Sequence, residues 1–137
     1  NEIFYTIAEC IVKDQEMIYS QFKNLKATKE ETNGRLLNFI YDSKNFIDTN
    51  FLENICLDEI AKESKLSQYH FIRLFKDVFN ITPYQYIIKK RLEYSKVLLK
   101  SGFSIIEVAY TVGFSGPTNF SRAYKNYFGI SPKNELK

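Results

Sequence analysis

The chain of 137 residues is poor in the residue types that define several protein classes. It has two cysteines, one histidine, five glycines, three prolines and no tryptophan. Two cysteines without CxxC spacing, beside a lone histidine, favour neither a disulfide framework nor a zinc site, so we expect no metal and no cofactor. No apolar run reaches the roughly 18 residues of a membrane span. Because it shows no nucleophile–base pair and no phosphate-binding loop, the sequence also argues against an enzyme.

The rest of the composition is that of a globular chain. Apolar residues make up 45% of the sequence, enough for one domain, or for one domain with a helical extension, to bury a core. The scarcity of cysteine favours a reduced, cytoplasmic setting, with Cys10 and Cys56 as ordinary buried thiols. Because the chain begins at Asn1 rather than at methionine, we expect it to be a piece of a longer protein.

Charge is distributed unevenly along the chain. Residues 1–50 contain six Lys/Arg and eight Asp/Glu, whereas residues 51–137 contain thirteen Lys/Arg and eight Asp/Glu. The second part is therefore basic, which indicates a polyanionic partner.

Two stretches of the basic part carry nearly the same pattern. Residues 57–83 align with residues 105–132, at an offset of 48 that becomes 49 after one residue is added near Gly116. In each copy a short helical stretch and a polar turn precede an apolar stripe at i, i+3, i+4 and i+7. The second stripe includes Phe120, Tyr124 and Tyr127, which we expect to be buried. The repeat predicts a duplicated helix-turn-helix, whose second helix fits a DNA major groove. The aligned pairs include Ala61 with Ala109, Phe71 with Phe120, Arg73 with Arg122, Lys76 with Lys125 and Pro83 with Pro132.

Local signals mark the ends of these helices. Ser67 and Ser115 stand where the N-caps of the two recognition helices are expected. Ser104 and Glu107 have the spacing of a capping box at the start of the second copy. Gly113 supplies the turn of that copy, because glycine adopts a positive φ without steric cost.

A long helix is predicted between the copies, over residues 83–100. Asn80 before it and Gly129 after the second copy are expected to end their helices in the left-handed conformation. About 18 residues give a rod of roughly 27 Å, against about 34 Å between successive major-groove turns on one face of DNA. The expected fold is all-α, with two helix-turn-helix subdomains joined by this central helix and preceded by an N-terminal helical extension.

The first fifty residues have a different pattern. Apolar residues between Phe4 and Leu25 recur with heptad spacing. Residues 3–25 therefore fit a homodimeric coiled coil, a helix packed on a missing domain, or a helix packed on this domain. A second helix is predicted from about Thr28 to Asn50, with Leu36, Ile40 and Ile47 facing the first helix-turn-helix. We divide the chain into a helical linker, residues 1–50, and a double helix-turn-helix domain, residues 51–137.

The repeated motifs resemble one known family. The first pattern is I-A-x5-S-x3-F-x-R-x-F-K, and the second is S-I-x-E-x-A-x3-G-F-x5-F-S-R-x-[FY]-K-x-x-F-G-x-S-P, running from Ser104 to Pro132. Together they resemble the AraC/XylS class of bacterial transcription regulators over about residues 51–132. The resemblance implies double-stranded DNA as the partner, an upstream sensing domain, and RNA polymerase as a further partner. A helical protein-interaction module on the same scaffold is the alternative.

The outward positions of the recognition helices are the candidate base-reading residues. Arginine matches the O6 and N7 acceptors of guanine, asparagine and glutamine suit adenine, and apolar groups contact the thymine methyl. The repeat places Arg73 and Arg122 at equivalent positions, and the resemblance implies the same outward face. The candidates are Gln68, Tyr69, Ile72, Arg73, Pro117, Thr118, Asn119, Ser121 and Arg122.

Other residues are expected to contact phosphates and set the register of the protein on DNA. Lysines and the capped N-termini of helices suit phosphate oxygens. Because no second ligand has metal spacing, His70 is expected to be a packed or surface histidine. The phosphate candidates are Ser67, Lys76, Lys89, Lys90, Ser104, Ser115 and Lys125.

Overall fold

The computed structural model describes residues 12–16 and 30–136, which are helical apart from short connections. No strand occurs within these ranges, and the predicted all-α fold is confirmed. Of the predicted heptad over residues 3–25, only residues 12–16 fall in the described part, and Thr28 lies outside it. The helices of residues 30–136 are α1 (Glu30–Asn50), α2 (Leu57–Glu63), α3 (Gln68–Phe79), α4 (Pro83–Lys100), α5 (Ile105–Thr111), α6 (Pro117–Phe128) and α7 (Pro132–Glu135).

The described residues form two compact units, each with one helix-turn-helix. The first comprises residues 12–16, 30–45 and 57–83, with α2 and α3 as its helix-turn-helix. The second comprises residues 46–56 and 84–136, with α5 and α6. Helix α1 gives residues 30–45 to the first unit and residues 46–50 to the second. The division at residue 50 therefore stays a prediction of domain organisation.

The core of the first unit is built around α3. Phe71 and Phe75 are fully buried, and Ala61 of α2, also fully buried, allows the two helices to approach closely. Ile40 of α1 is fully buried, and the Phe39 ring meets the edge of Phe71 at a centroid distance of 5.8 Å. Burial of each large apolar side chain contributes about 1.5–3 kcal/mol. These contacts fix α3 with its opposite face exposed.

The core of the second unit repeats this arrangement. Phe120 and Tyr124 of α6 are fully buried against Val108 and Ala109 of α5 and against leucines of α4. Tyr127, which the stripe predicted to be buried, is instead 44% exposed. Its hydroxyl donates to Glu93 at 3.1 Å, and burial, followed by the Glu93 charge, raises its pKa to about 12. The prediction was wrong because Tyr127 lies at the margin of the apolar stripe of α6. Its ring packs against Phe128, while its hydroxyl reaches the Glu93 carboxylate.

The end of α1 and the following loop are bound to α4 within the second unit. Tyr86 donates a hydrogen bond to Asp48, and Lys90 lies 3.7 Å from the same carboxylate. Ile47 is fully buried and belongs to this unit, and its predicted packing against the first helix-turn-helix stays a prediction. A helical stripe identifies the buried face of a helix but not the element that covers it.

The helix ends agree with the sequence in most places. The capping box of Ser104 and Glu107 is present, and Asn80 (φ 60°) and Gly129 (φ 82°) are left-handed. The N-cap of α6 is Gly116, however, and not Ser115. The residue added near Gly116 moves the helix start by one position, so that the Ser115 hydroxyl no longer faces the free N–H groups.

The side chain of Cys56 is exposed, which corrects the expectation of a buried thiol. Cys56 immediately precedes α2. The other cysteine lies outside the described residues.

Candidate nucleic-acid interface

The predicted base-reading residues of the first copy share the outward face of α3. Gln68, Tyr69 and Arg73 are exposed, and Ile72 is partly buried. The Arg73 guanidinium donates to the Tyr69 hydroxyl at 3.3 Å, one helical turn away. Lys76 is exposed on the next turn. The first unit therefore brings together a row of polar side chains opposite its phenylalanine core.

Helix α6 presents the equivalent row in the second unit. Thr118, Asn119 and Arg122 are exposed, and Lys125 follows one turn later. Within residues 12–16 and 30–136, Arg122 has no hydrogen-bond or ion-pair partner. Its guanidinium fork is therefore available for a bidentate contact with an acceptor pair. The remaining two candidates, Pro117 and Ser121, are partly buried.

Both recognition helices hold a residue of their first turn against a serine. The Ser67 hydroxyl accepts from the His70 backbone N–H at 3.2 Å and lies 2.7 Å from His70 Nδ1. In α6 the Asn119 side-chain amide donates to the Ser115 hydroxyl at 2.6 Å. His70 is therefore a surface histidine that takes part in capping. This contact uses one N–H of the Asn119 amide and leaves its other N–H and its oxygen unoccupied within residues 12–16 and 30–136.

The N-terminus of α5 is less suited to phosphate than the sequence indicated. The Glu107 carboxylate accepts from the Ser104 N–H at 2.9 Å, and this hydrogen bond lowers the Glu107 pKa. The carboxylate is therefore ionised beside Ser104 and repels a phosphate approaching the same groups. Ser104 stays a predicted phosphate contact, although the Glu107 charge disfavours it.

The two lysines of α4 differ from the exposed lysines of the recognition helices. Lys90 lies near Asp48 and places its ammonium 5.7 Å from the centre of the Phe51 ring. Lys89 is also partly buried. Lys76 and Lys125 are exposed, so they are better placed to reach a phosphate.

Arg91 is a structural residue to which the sequence analysis assigned no role. Its Nε donates to the Phe51 carbonyl at 2.6 Å and an Nη to the Glu53 carbonyl at 2.9 Å. Burial lowers its pKa relative to a free arginine. A Cβ at Gly113 would lie 2.8 Å from an Arg91 Nη, so that the turn of the second copy packs on this guanidinium. In the sequence, the only indication of this structural role was the presence of an arginine within the predicted central helix.

Two further observations concern the described part of the chain. No three His, Cys, Asp or Glu side chains group there as ligands for a metal ion. None of its helices is long and apolar enough to cross a membrane.

Comparisons with known proteins agree with this geometry. The sequence matches a family profile described as "Helix-turn-helix domain" over residues 60–137. It is 34% identical over 109 residues to the Msm operon regulatory protein of Streptococcus mutans, covering 79% of this chain and 39% of that protein. It is 35% identical over 98 residues to the "Probable transcription factor PqrA" of Proteus vulgaris, covering 69% of this chain and 80% of that protein.

A solved structure supports the same relationship. The structure of a Chromobacterium violaceum transcriptional regulator, described as AraC-type, superposes with a TM-score of 0.65 at 29% identity, over 72% of this chain and 89% of that one. The fold and the two recognition helices define a sequence-specific DNA-binding domain of a transcription regulator. The chain belongs to the AraC/XylS-type helix-turn-helix family. It spans less than half the length of the streptococcal relative.

Proposed function

We propose that this chain reads a specific duplex sequence with α3 and α6, placed in successive major grooves, as part of a cytoplasmic bacterial transcription regulator. The observation that carries the proposal is the repeated row of exposed side chains. Arg73 with Lys76, and Arg122 with Lys125, occupy equivalent outward positions on two helices whose opposite faces are buried.

The length of α4 supports binding in successive grooves. Its 18 residues span roughly 27 Å, comparable with the approximately 34 Å that separates major-groove turns on one DNA face. Selection of bound duplexes from a random pool should return two short boxes about one helical turn apart. Recovery of a single box would contradict the use of both helices.

The chemistry of the outward residues suggests their individual roles. Arg73 and Arg122 suit guanine, and Asn119 suits adenine through its amide. Lys76 and Lys125 lie one turn further along each helix, where contacts with the phosphates hold the helix in the groove.

Removal of Arg122 is the direct test of base reading. Arg122→Ala should weaken binding to the selected duplex by about 1–3 kcal/mol and relax the preference at one base step. Arg73→Ala should do the same in the other box. The control is Arg35→Ala, which removes the same charge from an exposed position of α1. Unchanged base discrimination by Arg122→Ala would show that this assignment is wrong.

Salt dependence distinguishes DNA binding from the alternative of a protein-interaction module. Affinity for duplex DNA should fall steeply with added salt, because lysine and arginine contacts release counterions from the phosphates. A contact with RNA polymerase and a homodimer formed through residues 3–25 stay predictions. Sedimentation of the 137-residue chain would test the dimer.

A further inference from the structure

We propose that Tyr110 and Lys62, at equivalent positions of the two helix-turn-helix copies, each donate a hydrogen bond to a DNA phosphate. The first helix of each copy would thereby fix how its recognition helix lies in the groove. This inference rests on the proposed function and deepens it, since neither residue belongs to the recognition helices.

The position of the Tyr110 hydroxyl is the first argument. Tyr110 lies near the end of α5 and is 60% exposed, although the preceding Ala109 is fully buried. A side-chain carbon on Gly116 would lie 3.9 Å from the Tyr110 hydroxyl oxygen. Because Gly116 is the N-cap of α6, this hydroxyl reaches the start of the recognition helix. Within residues 30–136 it has no hydrogen-bond partner, so its proton is available to an acceptor.

A phosphate is the acceptor that this location favours. In a helix-turn-helix the first helix crosses the DNA backbone while the second enters the groove. Tyrosine hydroxyls are among the side-chain groups that donate to phosphate oxygens. The positive end of the α6 dipole lies beside the same hydroxyl and also attracts an anion. A base edge is a less suitable acceptor, because Tyr110 is not on the helix that enters the groove.

The repeat supplies independent support from the first unit. At the offset that aligns Ala61 with Ala109, Lys62 aligns with Tyr110. Lys62 is 72% exposed and pairs with Asp58 at 2.8 Å. An exposed pair of this kind contributes little to stability, and the Lys62 ammonium lies on the solvent side of α2. Tyrosine and lysine differ in size, charge and hydropathy but share the capacity to donate a hydrogen bond.

The conservative substitutions remove the donors and leave most of each side chain in place. Tyr110→Phe should lower affinity for the selected duplex about three- to tenfold, by the same factor for altered sequences, and without changing the salt slope. Lys62→Gln should cause a similar loss and reduce the slope by about one. The matched control is Lys133→Gln, which removes an exposed charge from α7 and should change affinity less than twofold.

An exchange between the copies adds a gain of function. Tyr110→Lys installs in the second unit the residue of the first, and should raise affinity and steepen the salt slope by about one. The inference would be overturned if both Tyr110→Phe and Lys62→Gln bound the duplex with wild-type affinity. It would also be overturned if either variant selected different bases, or if weaker binding came with a lower urea midpoint of unfolding. If the wild-type chain selects no sequence at all, the proposed function fails instead.

Discussion

The two helix-turn-helix copies make the same backbone turn with different residues. In the first copy the left-handed position is Lys65, with φ of 61°, and in the second it is Gly113, with φ of 88°. In the second turn a Cβ on Gly113 would lie 2.8 Å from the Arg91 guanidinium, whereas the first turn already accommodates the Lys65 side chain. The local fold therefore determines the conformation of the turn, whereas the neighbouring element determines whether a side chain is tolerated there.

The helix starts differ in the same way. Ser104 and Glu107 form a complete capping box at the start of α5, but the aligned residues at the start of α2 are Cys56 and Glu59. A thiol is a weak hydrogen-bond acceptor compared with a hydroxyl. The first copy therefore carries two local disadvantages that the second copy lacks, and both can be reversed by substitution.

Substitution of Gly113 should change the free energy of unfolding most. Gly113→Ala forces a side chain into the left-handed region, which costs about 1–2 kcal/mol. It also displaces Arg91 from the carbonyls of the loop after α1, so that the total destabilisation should be about 3 kcal/mol. Urea unfolding of the whole chain measures this change. A destabilisation below about 1 kcal/mol would show that the Arg91 side chain moves aside without losing its hydrogen bonds.

The opposite substitution in the first copy should stabilise the protein. Lys65→Gly removes the left-handed strain of a residue with a Cβ, and should raise the free energy of unfolding by about 1 kcal/mol. Lys76→Gly in the interior of α3 is the matched control, and should be destabilising by about 1 kcal/mol. A loss of stability in Lys65→Gly would mean that the lysine side chain makes a stabilising contact.

A smaller difference lies in the two cores. Tyr124 occupies the position of Phe75, and its buried hydroxyl has no hydrogen-bond partner among the described residues. The Glu135 carboxylate is close enough to affect this group, and burial together with that charge raises the Tyr124 pKa. Tyr124→Phe should therefore stabilise the second unit by up to about 1 kcal/mol. A clear destabilisation in thermal unfolding would show that the hydroxyl binds Glu135 or an ordered water.

The capping difference should give the smallest effect at neutral pH. Cys56→Ser should form a box with Glu59 and contribute about 0.5–1 kcal/mol. Unfolding midpoints of the variant and the wild-type chain under reducing conditions would measure it. An unchanged midpoint would indicate that Glu59 does not reach the N-cap backbone.

The capping box of Ser104 and Glu107 predicts that the stability of the protein depends on pH. The hydrogen bond with Ser104 lowers the Glu107 pKa below the ordinary glutamate value of 4.5. The ionised box therefore stabilises the fold fully above about that pH, and the contribution is lost as pH falls through the lower, folded-state pKa. The stability difference between the wild-type chain and Glu107→Gln should narrow as pH falls below 4.5. A constant difference would exclude the carboxylate charge as its source.

Much of the architecture could be predicted because its signals are local. The apolar stripes of α3 and α6 suffice to predict that Arg73 and Arg122 lie on exposed faces. Ser104, Asn80 and Gly129 were correctly assigned because caps and left-handed ends depend on the few residues around them. The N-cap of α6 was missed because one added residue changed the alignment of the copies by a single position.

The sequence by itself determined the helices, the repeat and the outward rows of polar side chains, because helical periodicity and capping act over a few residues. Only the tertiary structure decided how α1 is divided between the two units, why Gly113 must lack a side chain, and where the Tyr110 hydroxyl lies. Those outcomes depend on contacts between residues distant along the chain, such as Arg91 with Phe51. A periodic pattern shows that a face is covered, but the covering partner is fixed by packing.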